Sequence, residues 1–203
     1  MVRIAYQGEP GAYSEAAALS FDSKAEPSPR LSFDAVFNAV EAGEVSHGIL
    51  PIENTIAGSI HRNYDLLVEH ELPIVAEVKH SVVHNMIAFK GTEIGQIRRV
   101  YSHPKGLEQC EDFLQTLNDV EIVATYDTAG SAKMIKEQGL TDSAAIASVR
   151  AAEIFGLQVI RPAVQDVADN FTRFLIVSHD PAPLGKPDKT TIVFTVPNDP
   201  GAL

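Results

Sequence analysis

Cysteine is almost absent from this sequence: Cys110 is the single one among 203 residues. One thiol can form neither an intrachain disulfide nor a cysteine-rich zinc site, so no such crosslink can hold the fold together. The chain therefore depends on an ordinary hydrophobic core, and a reducing compartment is its natural environment.

Positive charge is also scarce, because 16 Lys and Arg stand against 27 Asp and Glu, for a formal net charge of −11. Such a surface repels phosphate backbones and offers no basic stripe, so we expect no nucleic-acid partner. No apolar run approaches the ~20 residues of a membrane-spanning helix, and the opening M-V-R-I-A-Y-Q does not have the pattern of a secretory signal. These absences predict a cytoplasmic protein without a membrane partner.

Strand-like and helix-like segments alternate through most of the chain. Phe33, Val36, Phe37 and Val40 recur at helical spacing after Ser32, a residue type that caps helix N-termini. Other patterns predict strands at 2–6, 47–52, 97–101, 120–124 and 144–147, extended chain over 75–89, and helices at 12–21, 60–70, 104–117, 129–138 and 149–155. This alternation is typical of βαβ units on mainly parallel sheets, so the predicted fold class is α/β.

The composition changes near the end of the chain. Residues 179–189 contain three prolines and a glycine, which is typical of a linker, and we place this linker at 181–189, after a domain of residues 1–180. The following T-T-I-V-F-T-V-P predicts a strand. A lone strand cannot bury its own apolar face, so residues 190–203 are expected to be the start of a second domain.

Three patterns that could carry chemistry have simpler explanations. Gly8 and Gly11 are spaced G-x-x-G, which favours a tight turn over a nucleotide-binding loop. His80 and His84 would face the same side of a strand but lie about 13 Å apart, too far for one metal ion unless the chain bends. Cys110 falls on an apolar helical stripe, which favours a buried, inert thiol over a catalytic one.

Uncharged polar residues follow several of the predicted strands. Asn54 and Thr55 close one strand, Ser102 and Gln109 follow another, and Asp127 precedes a predicted helix. Each alone is typical of a helix cap. Because ligands of open α/β sheets bind beyond the carboxyl ends of the strands, together they predict a cleft lined by hydroxyls, amides and helix N-termini.

Six motifs in this order give the chain a family resemblance: Y-Q-G-E-P-G-A-Y-S-E-A-A, P-I-E-N-T-x-x-G-S-I, S-H-P-K-G-L-E-Q-C, T-A-G-S-A, A-A-I-A-S-x-x-A-A-E-I-F-G-L and D-N-F-T-R-F. Over residues 3 to about 178 the chain resembles the catalytic domain of prephenate dehydratase. Thr55 stands where this family often has Ser, and Lys105-Gly106 stand where it often has Gln-Ala. The tail resembles the opening of the ACT regulatory domain, which binds phenylalanine in this family.

The resemblance implies two α/β lobes around a cleft, similar to periplasmic binding proteins. Lobe 1 would comprise about 1–80 and 159–180, and lobe 2 about 81–158. The outward crossing would run through 82–89 and the return would begin at 159–161. His84 would then be a hinge or core residue.

The implied reaction is the decarboxylating dehydration of prephenate to phenylpyruvate in phenylalanine biosynthesis, which needs neither a metal nor another cofactor. On this resemblance Thr172 is the catalytic proton donor. The substrate-binding residues would be Asn54, Thr55, Ser102, Gln109, Arg173 and Phe174. Strand alternation would place Thr172 and Arg173 on opposite faces, so only one of them would face the cleft in a regular strand. Phe174 is also a candidate core residue.

The sequence leaves two alternatives open. One is arogenate dehydratase, whose substrate carries an amino group in place of the keto group of prephenate. The other is a bilobed protein that binds a small anion without catalysis, because one fold can serve both uses. The resemblance further implies a homo-oligomer, and phenylalanine as a regulator only if the full ACT domain is present.

Overall fold

The computed structural model of this chain describes residues 2–180, 189–192, 194 and 199. The first lobe contains β1 (Arg3–Gln7), α1 (Tyr13–Phe21), β2 (Glu26–Arg30), α2 (Phe33–Glu41), β3 (His47–Asn54), β4 (Gly58–Ser59), α3 (His61–His70), β5 (Ile74–Ser81) and, after the return crossing, β11 (Phe171–Ser178). The second lobe contains β6 (Asn85–Ala88), a 3-10 turn (Ile94–Gln96), β7 (Arg99–Ser102), α4 (Pro104–Glu108), α5 (Glu111–Gln115), β8 (Glu121–Ala124), α6 (Thr128–Gln138), β9 (Ser143–Ala147), α7 (Val149–Phe155) and β10 (Gln158–Arg161).

Each lobe is built on one sheet, as the α/β prediction with two lobes requires. The first sheet has the order β2-β1-β3-β11-β5, with β4 paired to β3, and the second has the order β10-β6-β9-β7-β8. Ser32 caps α2 as predicted, since its side chain accepts a hydrogen bond from the backbone N–H of Ala35 at 3.1 Å. Most of the predicted linker and of the predicted start of the second domain falls outside the described residues.

The sheets are mixed, whereas the sequence predicted mainly parallel ones. In the first sheet β1 is parallel to β2 and β3, but β11 is antiparallel to both β3 and β5. In the second, β7 is parallel to β8 and β9, but β6 is antiparallel to β9 and β10. Apart from the short β3–β4 pair, the antiparallel pairs involve strands that flank the two crossings between the lobes. There the chain enters a sheet without the helical crossover that makes neighbouring strands parallel.

The return crossing begins later than predicted. Residues 159–161 were expected to start it, but they belong to β10, which pairs with β6 in the second sheet. The second lobe therefore extends to Arg161, and the chain crosses back between this residue and the start of β11.

The helix predicted over 104–117 is interrupted. This segment forms two short helices, α4 and α5, and Gln109 is the C-cap residue of α4. The carbonyl of Gln109 accepts a hydrogen bond at 2.9 Å from the backbone N–H of Asp166, in the return crossing. Because this partner comes from a distant segment, the local helical pattern could not reveal the break.

The hydrophobic core has three parts, one of which is shared by the lobes. The shared part joins Ile4 and Tyr6 of the first sheet to Ala129 and Ala151 of the second lobe. A second part lies between the first sheet and helices α2 and α3. The third packs the second sheet against α4 and α5 and includes Cys110, which is buried as predicted and whose pKa burial raises to about 12. In the described part of the chain, no helix combines the length and apolarity needed to cross a bilayer.

The two lobes are in close contact at Gly11, just before α1. Gly11 has φ +92°, and a Cβ placed there would lie 2.6 Å from the Cα of Ala151. Beside it, Ser148 Oγ donates a hydrogen bond to the Gly11 carbonyl at 2.6 Å. Two ion pairs join the lobes on the same side, Glu9–Lys133 at 3.0 Å and Glu15–Arg150 at 2.6 Å.

Candidate active site

A cavity of about 450 Å³ lies where β3 ends, β11 begins and the second lobe faces both. Residues of both lobes line it, among them Asn54 and Thr172 of the first and Lys105 and Gln109 of the second. A larger open crevice of about 700 Å³ lies at the opposite end of the first sheet, near Arg3 and His47, and contains none of the predicted site residues. The cavity between the lobes is therefore the candidate site.

Thr172 faces this cavity from the start of β11, where the sheet register pairs it with Asn54 at the end of β3. The side chain of Asn54 donates from Nδ2 to Thr172 Oγ1 at 3.0 Å. Among the described residues, no protein acceptor takes the hydroxyl hydrogen of Thr172. Because Oγ1 already accepts from Asn54, this hydrogen is free to point into the cavity.

The orientation of the Asn54 amide is fixed by the backbone. Its Oδ1 accepts from the backbone N–H groups of Ile56 at 3.0 Å and Ala57 at 2.8 Å. The NH2 group must therefore face the other way, where it meets Thr172 and also donates to Oδ1 of Asn170 at 2.7 Å. Asn170 is fully buried, and the sequence did not identify it as a site residue.

Gln109 reaches the same network from the second lobe. Its Oε1 accepts from Nδ2 of Asn170 at 3.0 Å and lies 2.9 Å from Nε2 of His84. The break between α4 and α5 places Gln109 at the cavity wall. Asn54, Gln109 and Thr172, which the sequence proposed separately, therefore belong to one hydrogen-bonded network that spans both lobes.

Phe174 lines the cavity two residues after Thr172, on the same face of β11. Its side chain is 1% exposed and belongs to the shared core. Phe174 therefore forms an apolar part of the cavity wall and is at the same time a core residue.

Arg173 points away from the cavity. Its Nε donates to the carboxylate of Glu77 at 2.8 Å, and Lys189 contacts the other oxygen of the same carboxylate at 2.7 Å. The two cations lower the pKa of Glu77. Strand alternation thus places Thr172 inside the cavity and Arg173 outside it.

Two other predicted substrate-binding residues also lie outside the cavity. Ser102 is fully buried behind its wall, and its Oγ donates to the carbonyl of Ile146 at 2.8 Å. It does not cap α4, because the side chain of His103 does so. Thr55 is exposed and holds the start of β11: its Oγ1 accepts from the backbone N–H of Phe171 at 3.0 Å.

Three helices of at least nine residues, α1, α3 and α6, begin at the cavity. Helix N-termini present unpaired N–H groups and a partial positive charge, which favour anions. The N-cap of α3, Ile60, supplies no side-chain acceptor. Asp127 caps α6 by accepting from Gly130 N at 2.7 Å, and burial raises the pKa of its carboxyl group.

Among the described residues that line the cavity, Lys105 is the only lysine or arginine. Its ammonium group pairs with Glu108 at 2.7 Å. His80 and His84 are not brought together as metal ligands would be. His80 contacts Ser20, whereas His84 lies in the cavity wall. Within the described residues no group of three His, Cys, Asp or Glu is arranged to hold a metal ion.

Known sequences match this chain over most of its length. The family described as "Prephenate dehydratase" matches residues 4–182. Arogenate dehydratase 2 of Petunia hybrida is 48% identical over 204 residues, a match that covers 100% of this chain and 52% of the relative. Arogenate dehydratase/prephenate dehydratase 2, chloroplastic, of Arabidopsis thaliana is also 48% identical, with 100% and 53% covered. The chain thus spans about half the length of these curated relatives.

Two solved structures share the fold over most of the chain. Prephenate dehydratase from Arthrobacter aurescens, solved in complex with L-Phe, is 28% identical with a TM-score of 0.82, and the match covers 93% of this chain and 63% of that one. A protein described as GqqA, a novel type of quorum quenching acylase, is 35% identical with a TM-score of 0.83, and the match covers 92% of this chain and 67% of that one.

Proposed function

Because the chain belongs to the prephenate dehydratase family, we propose that it catalyses the decarboxylating dehydration of prephenate to phenylpyruvate. One observation carries the proposal: the Thr172 hydroxyl accepts from Asn54 and keeps its hydrogen available to the cavity between the lobes. The reaction places this chain among the lyases and within phenylalanine biosynthesis.

The proposed reaction needs one positioned proton donor. The bond between the ring and its carboxylate breaks, CO2 leaves, and the bonding electrons move through the ring. The carbon–oxygen bond to the ring hydroxyl then breaks, and this oxygen takes up a proton and leaves as water. Thr172 donates a hydrogen bond to the departing oxygen and passes the proton to it, which is general acid catalysis at a held geometry. A proton from solvent then restores the threonine hydroxyl.

Substrate binding is the second requirement, because prephenate is a dianion and the chain has a formal net charge of −11. Local donors must overcome this unfavourable field. In the cavity we assign this role to the N-termini of α1 and α3, since Asp127 already caps α6, and to the side-chain amide of Gln109. Phe174 supplies the apolar surface for the ring, and Asn54 orients Thr172.

Arogenate is the second candidate substrate, because the names of the two curated relatives include arogenate dehydratase activity. It reacts at the same ring atoms, so the role proposed for Thr172 is unchanged. Non-catalytic binding of a small anion is the remaining alternative.

Regulation, assembly and location are also proposals. We propose that phenylalanine regulates a protein that contains the complete second domain; the Arthrobacter relative was solved with L-Phe bound. A homo-oligomer is proposed from the family resemblance. The cytoplasmic location proposed from the sequence differs from that of the Arabidopsis relative, which is named as chloroplastic.

The direct test offers the purified chain prephenate and arogenate separately. Phenylpyruvate formation is followed by absorbance and phenylalanine formation by chromatography. The proposal predicts turnover of prephenate with release of CO2. Turnover of arogenate alone would move the assignment to arogenate dehydratase. If neither is turned over while prephenate raises the melting temperature, the non-catalytic alternative replaces both.

A further inference from the structure

His84 lies in the cavity wall, between β5 and β6, and its side chain is 3% exposed. Both of its ring nitrogens have partners. Nδ1 lies 2.9 Å from the hydroxyl of Tyr13, and Nε2 lies 2.9 Å from Oε1 of Gln109. A neutral imidazole donates from one nitrogen and accepts at the other, so the partners determine which nitrogen carries the hydrogen.

The polarity of the network can be followed from the backbone. Two backbone N–H groups hold Oδ1 of Asn54, so its NH2 group faces Oδ1 of Asn170. The NH2 group of Asn170 therefore faces Gln109, whose Oε1 accepts from it. Each amide in the chain has one acceptor end and one donor end, so the direction set at Asn54 is transmitted unchanged to Gln109.

This direction fixes the hydrogen of His84. Because Oε1 of Gln109 can only accept, Nε2 of His84 must donate, and the ring carries its hydrogen there. Burial lowers the pKa of His84, which favours the neutral ring with an unprotonated Nδ1. The Tyr13 hydroxyl lies 2.9 Å from Nδ1 and donates to the carbonyl of Val83 at 2.8 Å, so its single hydrogen is shared between these two acceptors. Burial also raises the pKa of Tyr13, which keeps that hydroxyl protonated.

We propose that His84 is a positioning residue: its Nε2–H, together with Asn170, holds Oε1 of Gln109 within the network, so that the NH2 group of Gln109 points into the cavity. Neither hydrogen of this NH2 group has a protein acceptor among the described residues. In the reverse orientation, the amide oxygen would face the cavity and repel a substrate carboxylate. This inference rests on the proposed function for the identity of the anion.

The first test needs no substrate. In protein labelled with 15N-histidine, the ring nitrogens of His84 are assigned by comparison with the His84→Gln variant, and their chemical shifts report protonation. The proposal predicts a protonated Nε2 and an unprotonated Nδ1 at neutral pH. A hydrogen on Nδ1 with an unprotonated Nε2 would overturn it, whatever the variants do.

The second test compares two variants of the full chain. His84→Gln keeps an N–H donor near the position of Nε2, whereas His84→Leu introduces an apolar side chain that has no donor. A hydrogen bond to a charged group contributes enough that its loss in His84→Leu should raise KM for the substrate ~10-fold. The kcat of this variant should change less than ~3-fold. For His84→Gln we expect both KM and kcat to stay within ~3-fold of wild type. Equal KM values in the two variants, or a loss confined to kcat, would contradict the proposal.

The outcomes separate this inference from the proposed function. If the wild type turns over neither prephenate nor arogenate, the proposed function fails, but the ring protonation still decides the network direction. If His84→Leu does not fold, the nitrogen shifts of the wild type and the KM of His84→Gln decide, because both are measured on folded protein.

Discussion

At the scale of single residues, Asn54 has the most constrained position in the site. The oxygen of its side-chain amide accepts from two backbone N–H groups, and the nitrogen donates to Thr172 and Asn170. An aspartate there can keep the first pair of contacts, but it cannot donate the second pair.

We therefore predict that Asn54→Asp lowers kcat/KM for the substrate by ~10- to 100-fold, the value of one or two lost hydrogen bonds in a partly buried site. The added negative charge at the cavity acts in the same direction against an anionic substrate. Steady-state kinetics on the variant measures the loss, and circular dichroism confirms that it is folded. Wild-type kcat/KM in a folded variant would refute the role assigned to Asn54.

Arg173 gives the opposite prediction at the same scale. Its side chain is bound to Glu77 outside the cavity, so Arg173→Met should leave KM within ~3-fold of wild type. The partly exposed ion pair should cost at most about 1 kcal/mol of the free energy of unfolding. Kinetics and urea unfolding test both values, and a large rise in KM would mean that Arg173 does reach the substrate.

The sequence identified part of this site and missed part of it for a physical reason. Asn54 and Gln109 were proposed because they follow predicted strands and lie in the family motifs, whereas Thr172 was proposed from the family resemblance. Asn170 and His84 were missed as site residues, since an asparagine before a strand and a histidine in extended chain are both common in turns and cores. Their roles come from hydrogen bonds to Gln109, which is 61 residues from Asn170 and 25 from His84 in sequence.

At the scale of elements, most helices and strands agree with the hydrophobic pattern, and the exceptions depend on distant contacts. Strand β2, E-P-S-P-R, was missed because its two prolines argue against a strand. It lies at the edge of the first sheet, where a missing N–H can face away from the single partner β1. Similarly, α4 ends early because Asp166 takes the carbonyl of Gln109.

The contact between Gly11, just before α1, and Ala151 of α7 provides a prediction about how these elements pack. Gly11→Ala forces a positive φ on alanine and places Cβ 2.6 Å from the backbone of Ala151, so the lobes must move apart. We expect a loss of about 2–4 kcal/mol in the free energy of unfolding, from overpacking and backbone strain together. Urea denaturation measures it.

Gly43→Ala is the matched control, because Gly43 also has a positive φ, +70°, but no atom lies within 4 Å of the added Cβ among the described residues. Only the backbone cost of roughly 1–2 kcal/mol should appear there. If the two variants lose the same free energy of unfolding, the lobes are not in close contact at Gly11.

At the scale of the whole molecule, stability depends on pH in the alkaline range, because several buried groups keep their protons when the chain is folded. Burial raises the pKa of Cys110 from 9.0 to about 12 and also raises those of Tyr6 and Tyr13. The unfolded chain loses these protons at lower pH than the folded chain does. The stabilisation is therefore fully present below about pH 9 and is lost as the pH rises toward 12.

We predict that the free energy of unfolding falls steadily above about pH 9. Cys110→Ala should be less stable at neutral pH because of the small cavity it leaves, but its decline with pH should be shallower. Urea unfolding at several pH values measures both curves. Parallel curves for the two proteins would mean that the thiol ionises equally easily when folded and unfolded.

The α/β class followed from the alternation of local patterns, but the mixed direction of the strands could not. Strand direction depends on how the chain crosses between the lobes, at β5 to β6 and again at β10 to β11. Both crossings connect extended segments without a helix. The local periodicity therefore cannot distinguish a strand that stays in one sheet from a strand that enters the other sheet. The site lies where these crossings meet the ends of β3 and α4.

The proton-donor role of Thr172 is tested by measuring kcat for prephenate in the wild type, Thr172→Ser and Thr172→Ala. Serine keeps a hydroxyl that Asn54 can orient, whereas alanine removes the donor. We predict that Thr172→Ala lowers kcat by ~10²–10⁴, as expected for the loss of a positioned acid, while Thr172→Ser stays within ~10-fold of the wild type. A Thr172→Ala variant with wild-type kcat would contradict it.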